Sequence, residues 1–244
     1  MPQSINKRSP IPYYLQLADT LRVEIEQNGA PGGHALPSEN ELLKKYNVSR
    51  ATVRSALSAL EREGVIYRQR GKGSFVAVRR IESDVTALVS TSEDMQRRGW
   101  DLTTQVLKLE RIVPPPQVAH ALELKRNSRV YELTRVRLVD GKPLSLQIAY
   151  LPVRLYPNLE THDLSQSLYY LSENLYHLQY ATGREVLRAR AAMRQEAAIL
   201  KLRAGAPVLY CERTTYSRDG AAMEFLRAVW RGDRYDFTVN LARP

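Results

Sequence analysis

The chain has a single cysteine, Cys211, among 244 residues. That excludes an internal disulfide and any zinc site built from several cysteines. Its four histidines, His34, His120, His162 and His177, show no metal-ligand spacing, so no bound metal is expected. No apolar run approaches the ~18 residues of a membrane span, and Met1 is followed by polar residues rather than the apolar core of a signal peptide. The expectation is a cytoplasmic protein without membrane association. Catalytic signatures are missing too. There is no Gly-x-Ser-x-Gly. Arg70-Gly71-Lys72-Gly73-Ser74 is not a phosphate loop, because Ile66 stands where the first glycine belongs and Gly73 follows the lysine. No cofactor and no enzymatic activity are expected. Acidic residues are in short supply: 26 against 36 Lys and Arg, for a formal net charge of +10. Residues 1–80 hold thirteen basic and seven acidic side chains, so +6 of that excess lies in the first third. Such density favours a polyanionic partner there.

What is present is concentrated in Leu36 to Val76. Ser38 with Glu41 three residues on makes a capping box at the start of a short helix ending near Tyr46-Asn47. Ser49 caps a second helix in which Val53, Ala56, Leu57 and Leu60 form one apolar stripe. Arg54, Ser55 and Ser58 fall opposite that stripe, with Arg50 beside them in the first turn. A helix start favours anions over arginine, so Arg50 there points to an external anion. Two short helices with a cationic outer face on the second read as a helix-turn-helix. Val65 to Gln69, a turn at Gly71-Lys72-Gly73 and Ser74 to Val76 read as a β-hairpin with a basic tip, the wing of a winged helix. Upstream, Leu15, Ala18, Leu21 and Ile25 predict a helix over 13–28 that packs on Leu42, Val53 and Leu57.

The fragments PSExEL, SRxTVRxAL, LExEG and RxxGxGxFV, in register over residues 10–77, resemble the DNA-binding domain of the GntR superfamily of bacterial transcription regulators. Asn40, where a charged residue is common, and Ser74, where threonine is, depart mildly from its pattern. The resemblance implies that Ser38, Asn40, Ser49, Arg50, Thr52 and Arg54 face duplex DNA. It implies further that Arg70, Gly71, Lys72 and Gly73 enter the minor groove, the glycines allowing close backbone approach.

Residues 1–9 are polar and read as a mobile N-terminus, and 78–90 read as a linker in which Arg79 and Arg80 either touch phosphate or are simply solvated. From 91 to 244 the pattern is that of an α+β domain. A helix begins near Ser92; a strand runs from Val106 to Ile112; a short helix spans Gln117 to Leu124. Two hairpins turn at Asp140-Gly141 and Asp219-Gly220. Helices over Leu168 to about Tyr180 and Gln195 to Leu202 lie between them. The sheet is expected to be mainly antiparallel, and the paired hairpins hint at an internal duplication.

Along Val130 to Val139, alternation puts Tyr131, Leu133, Arg135, Arg137 and Val139 on one face. Two arginines among apolar residues are either solvated or line a cavity that receives an anion, since burying them unpaired costs several kcal/mol each. Guanidinium suits bidentate binding of phosphate or carboxylate.

MQRRG, LTRVRLVDGKPLSLQIAYLP, SLYYLSENLY, GAPVLYCERTTYSRDG and AMEFLRAVWRGDRYDF, in that order over residues 90–240, resemble the UTRA effector-binding domain of the HutC branch of the same superfamily. The resemblance implies a chorismate-lyase-like fold that binds a small molecule, and a homodimer. It places Arg135, Arg137, Ser167, Tyr169 and Ser92 at the ligand's anionic group. Glu224 and Trp230 would face its hydroxyls and rings. Gln147 departs from the glutamate of many phosphosugar-binding relatives, and an amide holds no charge. The expected function is that of a sequence-specific regulator, a repressor released from a palindromic operator by an anionic metabolite, either a phosphorylated sugar or a carboxylate. The alternative is a chorismate-lyase-like enzyme tethered to DNA, which would turn its ligand over.

Overall fold

The computed structural model describes residues 5–6, 8–27, 33–77, 80–84 and 86–241. The chain divides into two compact units, 1–80 and 81–244. The glycines and proline expected to stop the first helix, and Arg79, lie outside the described residues.

The first unit has three helices, α1 (Tyr13–Gln27), α2 (Glu39–Tyr46) and α3 (Arg50–Arg62), then a hairpin of β1 (Ile66–Gln69) and β2 (Gly73–Val76). Leu17, Ala18 and Leu21 of α1 pack with Leu42, Tyr46, Val53, Ala56, Leu57, Leu60 and Ile66 in one core. The buried stripe of α1 therefore runs through Leu17, and Leu15, assigned to it from spacing, is 41% exposed. Leu15 and Leu17 are two positions apart, about 200° around a helix, so both cannot share a narrow face. The Ser38–Glu41 capping box forms: the Glu41 backbone N–H donates to Ser38 Oγ at 3.3 Å, and Glu41 Oε2 accepts from the Ser38 N–H at 2.7 Å. Asn47 closes α2 in the left-handed region at φ 50. This tight turn sets the start of α3, where Ser49 Oγ accepts from the Thr52 N–H at 3.1 Å. At the hairpin tip Gly71 and Gly73 have φ of 76 and 113, which side-chain-bearing residues rarely adopt. Ala35 bridges to Phe75 and widens the hairpin's base. At the N-terminus, Asn6 and Gln16 exchange hydrogen bonds of 2.9 and 3.2 Å, which tie the described part of that segment to α1.

The second unit is built on a six-stranded antiparallel sheet in the order β4-β5-β6-β9-β8-β7. Its elements are β3 (Ile81–Asp84), α4 (Thr91–Arg97), β4 (Leu102–Ile112), α5 (Pro116–Ala121), β5 (Val130–Val139), β6 (Lys142–Pro152), α6 (Leu168–Leu175), β7 (Tyr180–Ala191), α7 (Arg194–Leu200), β8 (Pro207–Ser217), β9 (Ala222–Arg231) and β10 (Tyr235–Thr238). The order helix-strand-helix-hairpin occurs twice, as α4-β4-α5-β5-β6 and α6-β7-α7-β8-β9. The two halves meet at β6 and β9, as an internal duplication requires. Leu168, Leu171 and Met95 carry α6 and α4 onto one sheet face. Val118 and Leu122 of α5 cover the other at one place, and Ala197 and Leu200 of α7 at another.

Four expectations change. The helix after Leu168 ends at Leu175 instead of reaching Tyr180, where an unforeseen edge strand, β7, begins. The segment read as a linker contains β3, which pairs in parallel with β10, Ile81 opposite Tyr235. The first of the two helices before the hairpins is capped by Ser90, so Ser92 lies inside α4 and not at its cap. The two Asp-Gly pairs also differ. Asp140 and Gly141 both have positive φ, as a two-residue turn demands. Only Gly220 does in the second, where residues 218–221 form a longer loop closed by Ser217.

Candidate functional site

In the first unit the apolar stripe of α3 fixes what its other face presents. With Val53, Ala56, Leu57 and Leu60 buried, Arg50, Ala51, Arg54 and Ser55 are exposed. Arg50 Nη2 donates to Asn40 Oδ1 at 2.9 Å, so the two candidates from successive helices form one surface. Ser49 Oγ and Thr52 Oγ1 lie 2.8 Å apart at the mouth of that surface. Ser38 and Ser49 serve as helix caps. Arg68, which sequence reading did not single out, donates from Nη2 to the Arg54 carbonyl at 3.1 Å and to Ser58 Oγ at 3.2 Å, joining the hairpin to α3. Arg70, Gly71, Lys72 and Gly73 project as an exposed tip. Side chains from the helix pair and the hairpin thus form two neighbouring basic features with free N–H donors, the chemistry that meets phosphate oxygens and base edges.

In the second unit, strand register builds the other site. Arg135 pairs with Gln147 and Arg137 with Ser145 across β5 and β6; Gln147 pairs with Ala228 and Ser145 with Trp230 across β6 and β9; Leu226 pairs with Arg213 and Glu224 with Thr215 across β9 and β8. Paired residues share a face, so one surface carries Arg135, Arg137, Gln147, Glu224, Trp230 and Arg213. Helices α4 and α6 roof it. A small cavity is lined there by Ser92, Arg135, Arg137, Gln147, Ser167, Tyr169, Arg213 and Glu224. Seven of the eight expected effector residues therefore line one cavity. The eighth, Trp230, lines an adjoining one, stacked on Tyr235 at 4.0 Å.

The two arginines are buried, not solvated, with 4% and 2% exposure. Arg135 donates from Nη1 to the carbonyls of Gln166 and Leu164 at 3.0 and 3.3 Å. Arg137 donates to Ser92 Oγ at 2.6 Å. The Nε of each is buried without a partner. Desolvation lowers the pKa of Arg135 to about 10 even with Glu224 nearby. Desolvation and the repulsion of Arg135 lower that of Arg137 to about 9. A guanidinium does not give up its proton in proteins, so these shifts express a charge held at a cost that an incoming anion relieves.

Glu224 is 2% exposed rather than on a solvated strand. Burial raises its pKa, and Arg213 and Arg135 partly counter that. Gln147 Nε2 lies 3.4 Å from Ser145 Oγ and 3.5 Å from Thr91 Oγ1. Ser167 Oγ accepts from the Tyr170 N–H at 3.4 Å, so it is a helix cap that also borders the cavity. Tyr169 stacks on Tyr180 at 4.0 Å with its hydroxyl buried and unpartnered. Sequence reading missed Arg213. Its signal was available: alternation along β8 places it on the face of Cys211, which had been read as a packed core thiol. Cys211 is 1% exposed, and its Sγ donates to Glu185 Oε1 at 2.7 Å.

Comparisons with known proteins agree with both halves. Residues 13–76 match the gntR family of bacterial regulatory proteins, and residues 97–236 match the UTRA domain. The chain is 36% identical over 240 residues to the HTH-type transcriptional repressor NagR of Bacillus subtilis, covering 98% of this chain and 99% of that one. It is 28% identical over 228 residues to the mannosyl-D-glycerate transport/metabolism system repressor MngR of Escherichia coli, covering 93% and 95%. The crystal structure of PhnF from Mycobacterium smegmatis superposes with a TM-score of 0.70 at 26% identity, over 91% of this chain and 99% of that one. These matches are to regulators and leave the tethered-enzyme alternative without support. The chain belongs to the GntR family of bacterial DNA-binding transcription regulators, in the HutC branch that carries a UTRA effector domain.

Proposed function

We propose that the protein is a cytoplasmic repressor that binds a palindromic operator as a homodimer and is released by a small anionic metabolite. The observation that carries this reading is the pair of buried, incompletely satisfied guanidiniums, Arg135 and Arg137, inside a cavity of a DNA-binding regulator. The sense of regulation rests on the relatives, whose names are those of repressors.

On DNA, Arg50, Thr52 and Arg54 contact bases and phosphates in the major groove, with Asn40 positioning Arg50 and with Ser38 and Ser49 at the helix starts. The Arg70–Gly73 tip follows the minor groove. In the effector domain a phosphate ester or carboxylate is gripped by Arg135 and Arg137, with Ser92, Ser167 and Tyr169 as hydroxyl donors. Gln147 offers an amide where a carboxylate would hold an amine, so the effector has no ammonium group at that point. Glu224 and Trp230 face the ligand's body. Release requires that the effector bind one conformer better than another, because a ligand with equal affinity for both shifts nothing.

The test uses the full chain. Fluorescence anisotropy on genomic promoter fragments should reveal one or more sites preferred over random duplex at moderate salt, and a screen of acidic metabolites should find one that raises Tm and dissociates that complex. Equal affinity for all duplexes, or a stabilising metabolite that leaves the complex intact, removes the proposal.

A further inference from the structure

Native proteins rarely leave buried polar atoms without hydrogen-bond partners. Eight such side-chain atoms occur among the described residues, and six of them converge on one region of the effector domain. Three belong to the anion cavity: Arg135 Nε, Arg137 Nε and the Tyr169 hydroxyl. The other three are Asp94 Oδ2, Arg213 Nε and Trp230 Nε1. They line a second lobe, joined to the first through Thr91, Arg213 and Leu226, which border both.

The two lobes differ in room and in charge. The anion cavity holds ≈ 20 Å³, space for about one water-sized group. The second lobe holds ≈ 320 Å³, about ten waters at ~30 Å³ each. The first is bordered by three guanidiniums and one carboxylate. Around the second, Asp84, Asp94 and Glu185 face Arg97, Arg98 and Arg213, so formal charges cancel. Many of these groups are already engaged. Asp94 Oδ1 accepts from Arg98 Nε at 2.7 Å, Glu185 accepts from Cys211, and Asp84 accepts from the Thr86 hydroxyl at 2.6 Å. What stays open is one acceptor, Asp94 Oδ2, and two donors, Arg213 Nε and Trp230 Nε1. A hydroxyl both donates and accepts, so a neutral group carrying several hydroxyls satisfies all three without adding charge.

We propose that this second lobe receives a neutral, polyhydroxylated body attached to the anionic head, and that Asp94 and Arg213 read its hydroxyls together with Trp230. The effector is then a sugar or polyol ester, not a free inorganic anion and not a compact dicarboxylate. This rests on the anion-controlled reading above and narrows it. Arg213 stands at the junction, between Glu224 of the first lobe and Glu185 of the second, and serves head and body alike. Asp94 is carried by α4, the helix that also carries Ser92, so one short helix touches both parts of the ligand.

The full chain is titrated calorimetrically with inorganic phosphate, with malonate, and with a panel of pentose, hexose and disaccharide monophosphates. At least one sugar phosphate should bind a hundredfold or more tighter than inorganic phosphate. The variants D94N, which turns the open acceptor into a donor, and W230F, which removes a donor while keeping a ring against Tyr235, should each cut the sugar-to-phosphate affinity ratio roughly tenfold. Circular dichroism confirms that each variant is folded, and the second variant decides if the first is not. Inorganic phosphate or malonate binding as tightly as every ester, or ratios unchanged in the folded variants, overturns the proposal while leaving the anion reading in place. Failure of every anion to bind overturns both.

Discussion

Arg137 of β5 donates to Ser92 of α4 at 2.6 Å, and that contact joins a buried, under-solvated charge to the helix that roofs the cavity. Removing the charge should therefore separate stability from response. Arg137→Met keeps the length of the side chain and abolishes the desolvation cost. Replacing buried ionic groups by apolar ones of similar size is often neutral or stabilising by about 1–4 kcal/mol. The variant should unfold at the same or a higher temperature without ligand, yet show no ligand-induced rise in Tm and no release from operator DNA. A variant still released at wild-type effector concentrations would take Arg137 out of the anion site.

Arg54 is exposed on α3 opposite the buried stripe, and its backbone carbonyl is held by Arg68. Its side chain is thus presented by a fixed helix and is not needed for packing. Arg54→Ala should weaken specific operator binding by ~1–3 kcal/mol with thermal stability unchanged. Anisotropy titrations on specific and random duplexes give the answer, and an unaltered specific affinity would mean that this side chain does not reach the bases.

The basic tip calls for a different measurement. Lys72 sits between Gly71 and Gly73, whose positive φ values hold the tip's backbone in a conformation other residues resist. If Lys72 meets a phosphate, Lys72→Ala should lower the slope of log K against log salt by about 0.9 and weaken specific and random duplexes alike. The same slope in both proteins over a range of salt would place the wing tip away from the backbone.

How much of this was legible beforehand follows from where signals lie. The first unit was readable nearly to the residue because caps, apolar stripe and turn glycines all act locally. Arg135 and Arg137 were readable because alternation on a strand fixes faces without knowing the partners. Strand β7 was not. It is an edge strand whose residues are mostly exposed or half-buried, so it lacks a period-two apolar pattern, and pairing with β8 holds it. Strands β3 and β10, four residues each, are too short to show any period and exist through each other. The second lobe was hidden for a related reason. Asp94, Arg213 and Trp230 come from α4, β8 and β9, and only the sheet order brings them together.

Away from both sites, Glu196 of α7 gives a stability prediction with a defined sign. It is 7% exposed, accepts from Arg190 Nη2 and Nη1 at 2.6 and 2.7 Å, and caps the Met193 N–H at 2.8 Å. Desolvation by burial raises its pKa, but the Arg190 hydrogen bonds and the backbone N–H outweigh that and hold it below the ordinary carboxylate value of 4.5. A carboxyl whose pKa is depressed on folding contributes stability in full above its unfolded value, and loses it as pH falls through the folded one. Glu196→Gln should cost about 1–2 kcal/mol at pH 7, in the range of a charge-assisted pair with one end partly exposed. Below pH 4.5 the gap to wild type should narrow, because the native carboxylate is itself being protonated. Urea unfolding of the two proteins between pH 3 and 7 measures the difference directly. A gap that stays constant over that range would show that the amide packs poorly and that ionisation of Glu196 contributes nothing to the fold.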